Sequence, residues 1–140
     1  MKKENYFLTI TDVQTIEGIQ NSFNTIFPFL KIEFFKKSHF RGKSNPKSLM
    51  YEYNLKLKEI RNKKFSGKIK IEKNMTVAEL ESIFENKFGL HAQVFRKSGN
   101  VWLETSSTDN WTLEEQNTEG ENLQQHLKTE KENPENHDMW

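Results

Sequence analysis

Apolar residues recur along this chain in two rhythms. Ile16, Ile19, Phe23 and Phe27 are spaced 3, 4 and 4, and Val77, Leu80, Phe84 and Phe88 repeat those steps. Such spacing aligns one stripe of a helix, so one apolar face is predicted for each segment. Thr15 and Thr76 stand where N-caps belong, with Glu17 and Glu79 in the first turns, while Pro28 and Gly89 mark the two ends. Elsewhere the rhythm is two. Leu30, Ile32 and Phe34 alternate with Lys31, Glu33 and Phe35, and Ile69 and Ile71 alternate with Lys68, Lys70 and Glu72. Strands with one buried face read this way. Leu8-Thr9-Ile10 and Leu90–Ser98 complete the set. Two further strands are predicted, Ser48–Tyr53 and Val101–Thr105. Ser98-Gly99-Asn100 makes a hairpin turn before the second, and a long loop from His39 to Lys47, holding Gly42 and Pro46, precedes the first.

These elements form an internal repeat. Thr15, Ile16, Ile19, Phe23 and Phe27 lie 61 residues before Thr76, Val77, Leu80, Phe84 and Phe88. Leu30, Phe35, Lys37 and Ser38 lie 60 before Leu90, Phe95, Lys97 and Ser98. Asn54-Leu55-Lys56-Leu57-Lys58-Glu59 is echoed more loosely by Asn110-Trp111-Thr112-Leu113-Glu114-Glu115. Each copy reads strand, helix, strand, strand. The expected fold is α+β: a two-layer sandwich from a duplicated β-α-β unit. Two helices would lie on one face of a single, mainly antiparallel, ferredoxin-like sheet of about six strands.

The second copy also resembles the ubiquitin-like β-grasp. The resemblance is carried by Lys68-Ile69-Lys70-Ile71, Met75-Thr76-Val77-Ala78-Glu79-Leu80, Ile83, Lys87-Phe88-Gly89-Leu90, Val94–Asn100, Leu103-Glu104 and Thr112–Asn117. It implies a β-grasp sheet as the alternative topology. No final strand follows Asn117 and no Gly-Gly pair ends the chain, so conjugation to other proteins is not implied. The same half resembles short proteins of Bacteroidetes-type bacteria, which implies no function.

Composition sets the boundaries. The 140 residues fit one domain, with repeats over about 5–62 and 67–117. From Thr118 to Trp140 there are six acids and two bases, with little to bury beyond Leu123, Leu127, Met139 and Trp140. A disordered acidic tail over 118–140 is expected, because so polar a stretch does not offset its ordering entropy. Met139-Trp140 is a candidate docking peptide within it. No apolar run approaches the roughly 20 residues of a membrane span. Tyr6–Ile10 is too short for the core of a secretory signal, so the expected location is the cytoplasm. Cysteine is absent, which excludes disulfides, thiolate zinc sites and cysteine nucleophiles.

Catalytic motifs are not found. His39, His91, His126 and His137 have no helical pairing with one another, and phosphate-binding glycine loops and serine nucleophile motifs are missing. Glu79, Glu81 and Glu85 lie on the second predicted helix, where Glu81 and Glu85 share a face that reads as solvated. No enzyme activity, cofactor or metal is expected. Charge is uneven: residues 1–67 hold 13 Lys/Arg against 6 Asp/Glu, whereas residues 68–117 hold 6 against 8. Lys36, Lys37, Arg41, Lys43 and Lys47 gather around one loop, and Lys56, Lys58, Arg61, Lys63 and Lys64 form a second cluster. Basic residues beside aromatics suit phosphates and stacked bases. Strand parity sets Phe35, Phe95 and Trp102 opposite the inward residues, with Trp111 nearby. An apolar patch on a helix-free sheet face marks a partner surface. The sequence therefore points to a non-enzymatic interaction or adaptor domain, using Phe35, Phe95, Trp102 and Trp111 to bind an unknown protein or a second copy. The alternative is nucleic-acid binding through Lys36, Lys37, Arg41, Lys43, Lys47, Arg61, Lys63 and Lys64.

Overall fold

The computed structural model describes residues 5–37, 45–61 and 66–132, with side chains to residue 130. Strand β1 (Tyr6–Ile10) leads into helix α1 (Ile16–Ile26) and strand β2 (Leu30–Phe35). Strand β3 (Gly67–Ile71), helix α2 (Val77–Phe88) and strand β4 (His91–Ser98) follow. A hairpin then gives strand β5 (Val101–Glu104), and helix α3 (Leu113–Glu132) closes the described chain. The α+β class therefore holds. No described helix is long and apolar enough to cross a membrane.

Local chemistry explains the helices. Thr15 Oγ1 accepts the Gly18 N–H at 3.1 Å, and Thr76 Oγ1 accepts that of Glu79 at the same distance. Glu79 returns a carboxylate to the Thr76 N–H, completing a capping box. Gly89, at φ 66°, ends α2 in the left-handed conformation that glycine adopts without steric cost. The apolar stripes do what their spacing requires. Ile16, Ile19, Phe23 and Phe27 join Val77, Leu80, Phe84 and Phe88 in one buried cluster with Leu8, Ile10, Leu30, Ile32, Phe34, Ile69 and Ile71. Phe34 meets Phe84 edge to face, with ring centres 5.4 Å apart.

The single sheet is replaced by two. β1 pairs antiparallel with β3, and β2, β4 and β5 form a separate antiparallel sheet in that order. Leu8 faces Ile69, its counterpart 61 residues on, and Glu33 faces Gln93, 60 residues on. Two return segments then lock onto the helix starts. Ile16 and Glu17 donate to the carbonyls of Leu55 and Tyr53, as Val77 and Ala78 do to those of Trp111 and Asp109. Leu57 and Leu113 donate back to Gln14 and Met75, and both leucines are fully buried. These bonds satisfy N–H groups that the first helical turn leaves without partners.

Two other expectations change. Ser48–Tyr53 is not a strand: a 3₁₀ turn at Lys47–Leu49 leads to a single bridge between Met50 and Phe35, and Tyr51 donates to the Phe34 carbonyl. Nor does order stop at Asn117. α3 continues to Glu132, held by its buried first residue, Leu113, and by polar anchors. Gln116, fully buried, accepts from Arg96 Nη1 at 2.8 Å and donates to the Thr108 carbonyl at 2.9 Å. Asn117 Oδ1 accepts the Phe29 N–H at 2.9 Å, and Leu127 reaches the hairpin glycine, Gly99. A docked first turn nucleates the helix, and extension is then cheap. Met139-Trp140 lies outside the described residues.

Gly120 tests this docking. A Cβ there would lie 2.9 Å from Phe29 Cβ, 3.3 Å from Arg96 Cγ and 3.4 Å from the Lys97 carbonyl oxygen. Gly120→Ala is expected to cost about 1–3 kcal/mol by overpacking, despite alanine's better helix propensity. Gly18→Ala in α1, whose nearest neighbour is 3.5 Å away, is expected to gain up to about 1 kcal/mol. Urea titration of the three proteins checks both signs, and equal stability at Gly120→Ala would mean α3 does not pack on Phe29.

Candidate interaction surface

The β2–β4–β5 sheet puts Lys31, Glu33, Phe35, Gln93, Phe95, Lys97, Trp102 and Glu104 on one face, as alternation requires. That face is not the open aromatic patch expected. Phe35 is 1% exposed and Phe95 8%, so both are corrected from interface to interior. The covering is partly backbone and partly lysine. Asn45, itself buried, brings its N–H to within 3.4 Å of Gln93 Oε1 and donates through Nδ2 to the Lys37 carbonyl at 2.7 Å. Further along, the Lys31 ammonium lies 5.4 Å from the Phe95 ring centre and 5.3 Å from that of Trp102. Both distances are within the range of a cation–π contact, so the charge sits over the ring faces. Trp111 belongs elsewhere: it is half-buried, stacks 5.7 Å from the Arg96 guanidinium on the helix-bearing side, and gives its carbonyl to Val77.

Trp102 is less enclosed than Phe35 and Phe95. It is half-buried on β5, with Lys97 at 5.0 Å from its ring centre beside Lys31. Its neighbours Val101 and Leu103 are 56% and 43% exposed, and Leu127 of α3 is 38% exposed at the same end. These are half of the six large apolar side chains that stand exposed among the described residues, two on β5 and one beside the turn that leads into it. That strand is the outermost of its sheet, and its far edge has no ladder partner among the described residues.

The direction of the free backbone groups follows from the register. Lys97 donates its N–H to the Phe29 carbonyl, on the β2 side. Arg96 and Ser98 therefore ladder to Leu103 and Val101, and the N–H and C=O groups of Trp102 and Glu104 point out of the sheet. Sequence reasoning missed Val101, Leu103, Glu104, Lys31, Lys97 and Leu127. The signal was present in Val101-Trp102-Leu103, a terminal strand without the lysine or proline that usually guards an edge.

The basic clusters are only partly usable. Lys36, Lys37 and Lys47 are exposed, and Arg41, Lys43, Lys63 and Lys64 lie outside the described residues. Arg61 is withdrawn into an ion pair: its side chain is 1% exposed, with Nε 3.0 Å and Nη2 2.6 Å from Asp12 Oδ1. It is corrected from phosphate ligand to buried structural cation.

A separate groove of about 720 Å³ opens between α2 and the start of β4, lined in part by Thr76, Glu79, Glu81, Glu85, His91 and Asp109. Its acids have structural work. Glu81 is buried rather than solvated and accepts the Val94 N–H at 2.9 Å, and Glu85 lies 2.9 Å from His91 Nδ1. No group of three or more metal-ligating side chains is found among the described residues. No family model matches the chain, and neither a curated protein nor a solved structure matches it.

Glu33 lies beside the surface, 3.5 Å from Lys31. Burial raises its carboxyl pKa above the ordinary value, and the Lys31 charge and hydrogen bonds from Lys31 and Gln20 pull the other way. The folded protein then holds this proton more tightly than the unfolded chain does. Its charge therefore counts against folding once pH climbs past the ordinary carboxylate value of about 4.3. Glu33→Gln is expected to raise the denaturation midpoint at pH 7, with the difference fading toward pH ~4. An effect of equal size at both pH values would rule out burial of the charge as the cause.

Proposed function

We propose that this protein is a non-enzymatic interaction module that binds a protein partner along the open edge of β5. One observation carries the reading: the outermost strand of the larger sheet presents Val101, Trp102 and Leu103 around backbone groups that have no ladder partner among the described residues. Strand addition uses such an edge, the backbone giving affinity and alternate side chains giving specificity. Trp102 supplies the rigid amphipathic anchor that dominates many interfaces, and Lys31, Lys97 and Glu104 form a polar rim around it.

The scaffold behind the edge is, in this reading, a tandem duplication of a β-α-β unit with a return segment. Support comes from the facing of Leu8 with Ile69 and of Glu33 with Gln93, and from the matched bonds at the starts of α1 and α2. Copy two differs in having a full strand, β5, where copy one has the turn and bridge at Lys47–Met50. The binding edge is then the feature that only the second copy carries.

Nucleic-acid binding is the second reading, supported by exposed Lys36, Lys37 and Lys47 near the end of β2. The two differ in salt dependence. Trp102→Ala and Leu103→Lys are each expected to remove the proteins that co-purify from native cells, a loss of about 2 kcal/mol or more of binding. Phe7→Ala, at an exposed position on β1, is expected to leave them in place. Identical co-purification and an identical oligomeric state with and without Trp102 would defeat the edge reading. Oligonucleotide affinity that is steep in salt and lost on Lys36→Ala/Lys37→Ala would put the second reading first.

A further inference from the structure

We propose that the occupant of the β5 edge is the β5 strand of a second copy of this chain, paired antiparallel about a two-fold axis through Leu103. This rests on the edge reading above and names its partner. The geometry selects the register. Only Trp102 and Glu104 point their backbone groups outward. A two-fold normal to the sheet keeps each face on its own side, so residues opposite one another must share parity. Centring on Leu103 sets Trp102 of each copy opposite Glu104 of the other. Each copy then donates from both outward amides and accepts at both outward carbonyls.

Charge favours the same register. Lys31 and Lys97 lie over the Trp102 ring, 5.3 and 5.0 Å from its centre, and Glu104 is exposed on the same face. Centring on Leu103 brings the carboxylate of Glu104 against the partner's lysine-flanked tryptophan, twice by symmetry. Centring on Trp102 instead would stack tryptophan on tryptophan and crowd the lysines of both copies together, which like-charge repulsion opposes. On the other face, Leu103 meets its own symmetry mate and Val101 flanks it. The exposed apolar side chains of one strand thus cover each other, while its charges pair crosswise.

Light scattering on the full chain over a concentration series tests this, with hydrogen exchange alongside. A concentration-dependent dimer is expected, with the Trp102 and Glu104 amides protected in the dimer and exchanging faster on dilution. Trp102→Ala, Lys97→Glu and Glu104→Lys are each expected to weaken it by about tenfold or more. Lys97→Glu and Glu104→Lys combined are expected to recover most of that loss while the urea midpoint of each single variant stays at the wild-type value, which separates crosswise pairing from repair of these two diagonal neighbours within one copy. A dimer indifferent to these variants, or single losses without rescue in the double variant, overturns the proposal. A wild-type monomer at every concentration overturns it too. In that case the edge reading survives if Trp102→Ala still strips co-purifying proteins, and falls with the inference if it does not.

Discussion

The antiparallel ladder between Leu30–Phe35 and His91–Ser98 is the constraint on which the rest of the molecule depends. It joins the two halves of the chain through their longest strand. It also decides what every other element has left to pair with. With β2 on one side of β4, the far side is free for β5 along residues 95–98, and the inner face formed by Leu30, Ile32, Phe34, Ala92 and Val94 must be covered by helices. Both apolar stripes find their burial there, at about 1.5–3 kcal/mol for each large side chain removed from water. The smaller β1–β3 ladder then closes the same core with Leu8, Ile10, Ile69 and Ile71.

Polar side chains serve as fasteners throughout, which is how so hydrophilic a chain builds a defined interior. Asn24 donates to the Leu30 carbonyl at 2.8 Å and Gln20 to that of Ile32 at 2.8 Å, satisfying the outer edge of β2 from α1. Gln116 and Asn117 anchor α3 by the same means. Such bonds are worth about 1 kcal/mol each when made and more when a buried group is left without one. They position elements without requiring apolar residues, so they leave no trace in a hydropathy pattern.

That difference sets what was legible in the sequence. Helix stripes, caps and strand parity were readable because each is a local consequence of spacing. Thr15, Thr76 and Gly89 act where their positions predict, and Phe35, Phe95 and Trp102 do share one face. Whether that face meets water is not a local property. It depends on Asn45 reaching Gln93, 48 residues away in sequence, and on the ammonium of one lysine lying over two rings. Helix α3 was missed for a related reason. Its composition reads as disordered, and its order comes from Gly120 fitting against Phe29 and from amides whose partners lie far along the chain.

The open edge gains its meaning from how carefully the others are treated. The outer side of β2 is covered by Gln20, Asn24, Met50 and Tyr51. The bare half of β4 is capped where Glu81 takes the Val94 N–H and Thr105 gives both its hydroxyl and its amide to the Val94 carbonyl. The outer face of the β1–β3 pair carries Lys68 and Lys70, charges that discourage strand addition. On β5 the sequence instead sets valine, tryptophan and leucine in succession, and the outer edge of that strand has no ladder partner among the described residues. An unguarded apolar edge invites pairing with another strand, which is the physical basis of the proposed edge binding. In the proposed dimer the half-buried Trp102, with the ammonium groups of Lys31 and Lys97 over its ring, would meet the carboxylate of a partner, so the charges that keep the free edge hydrated become the ones that pair across it.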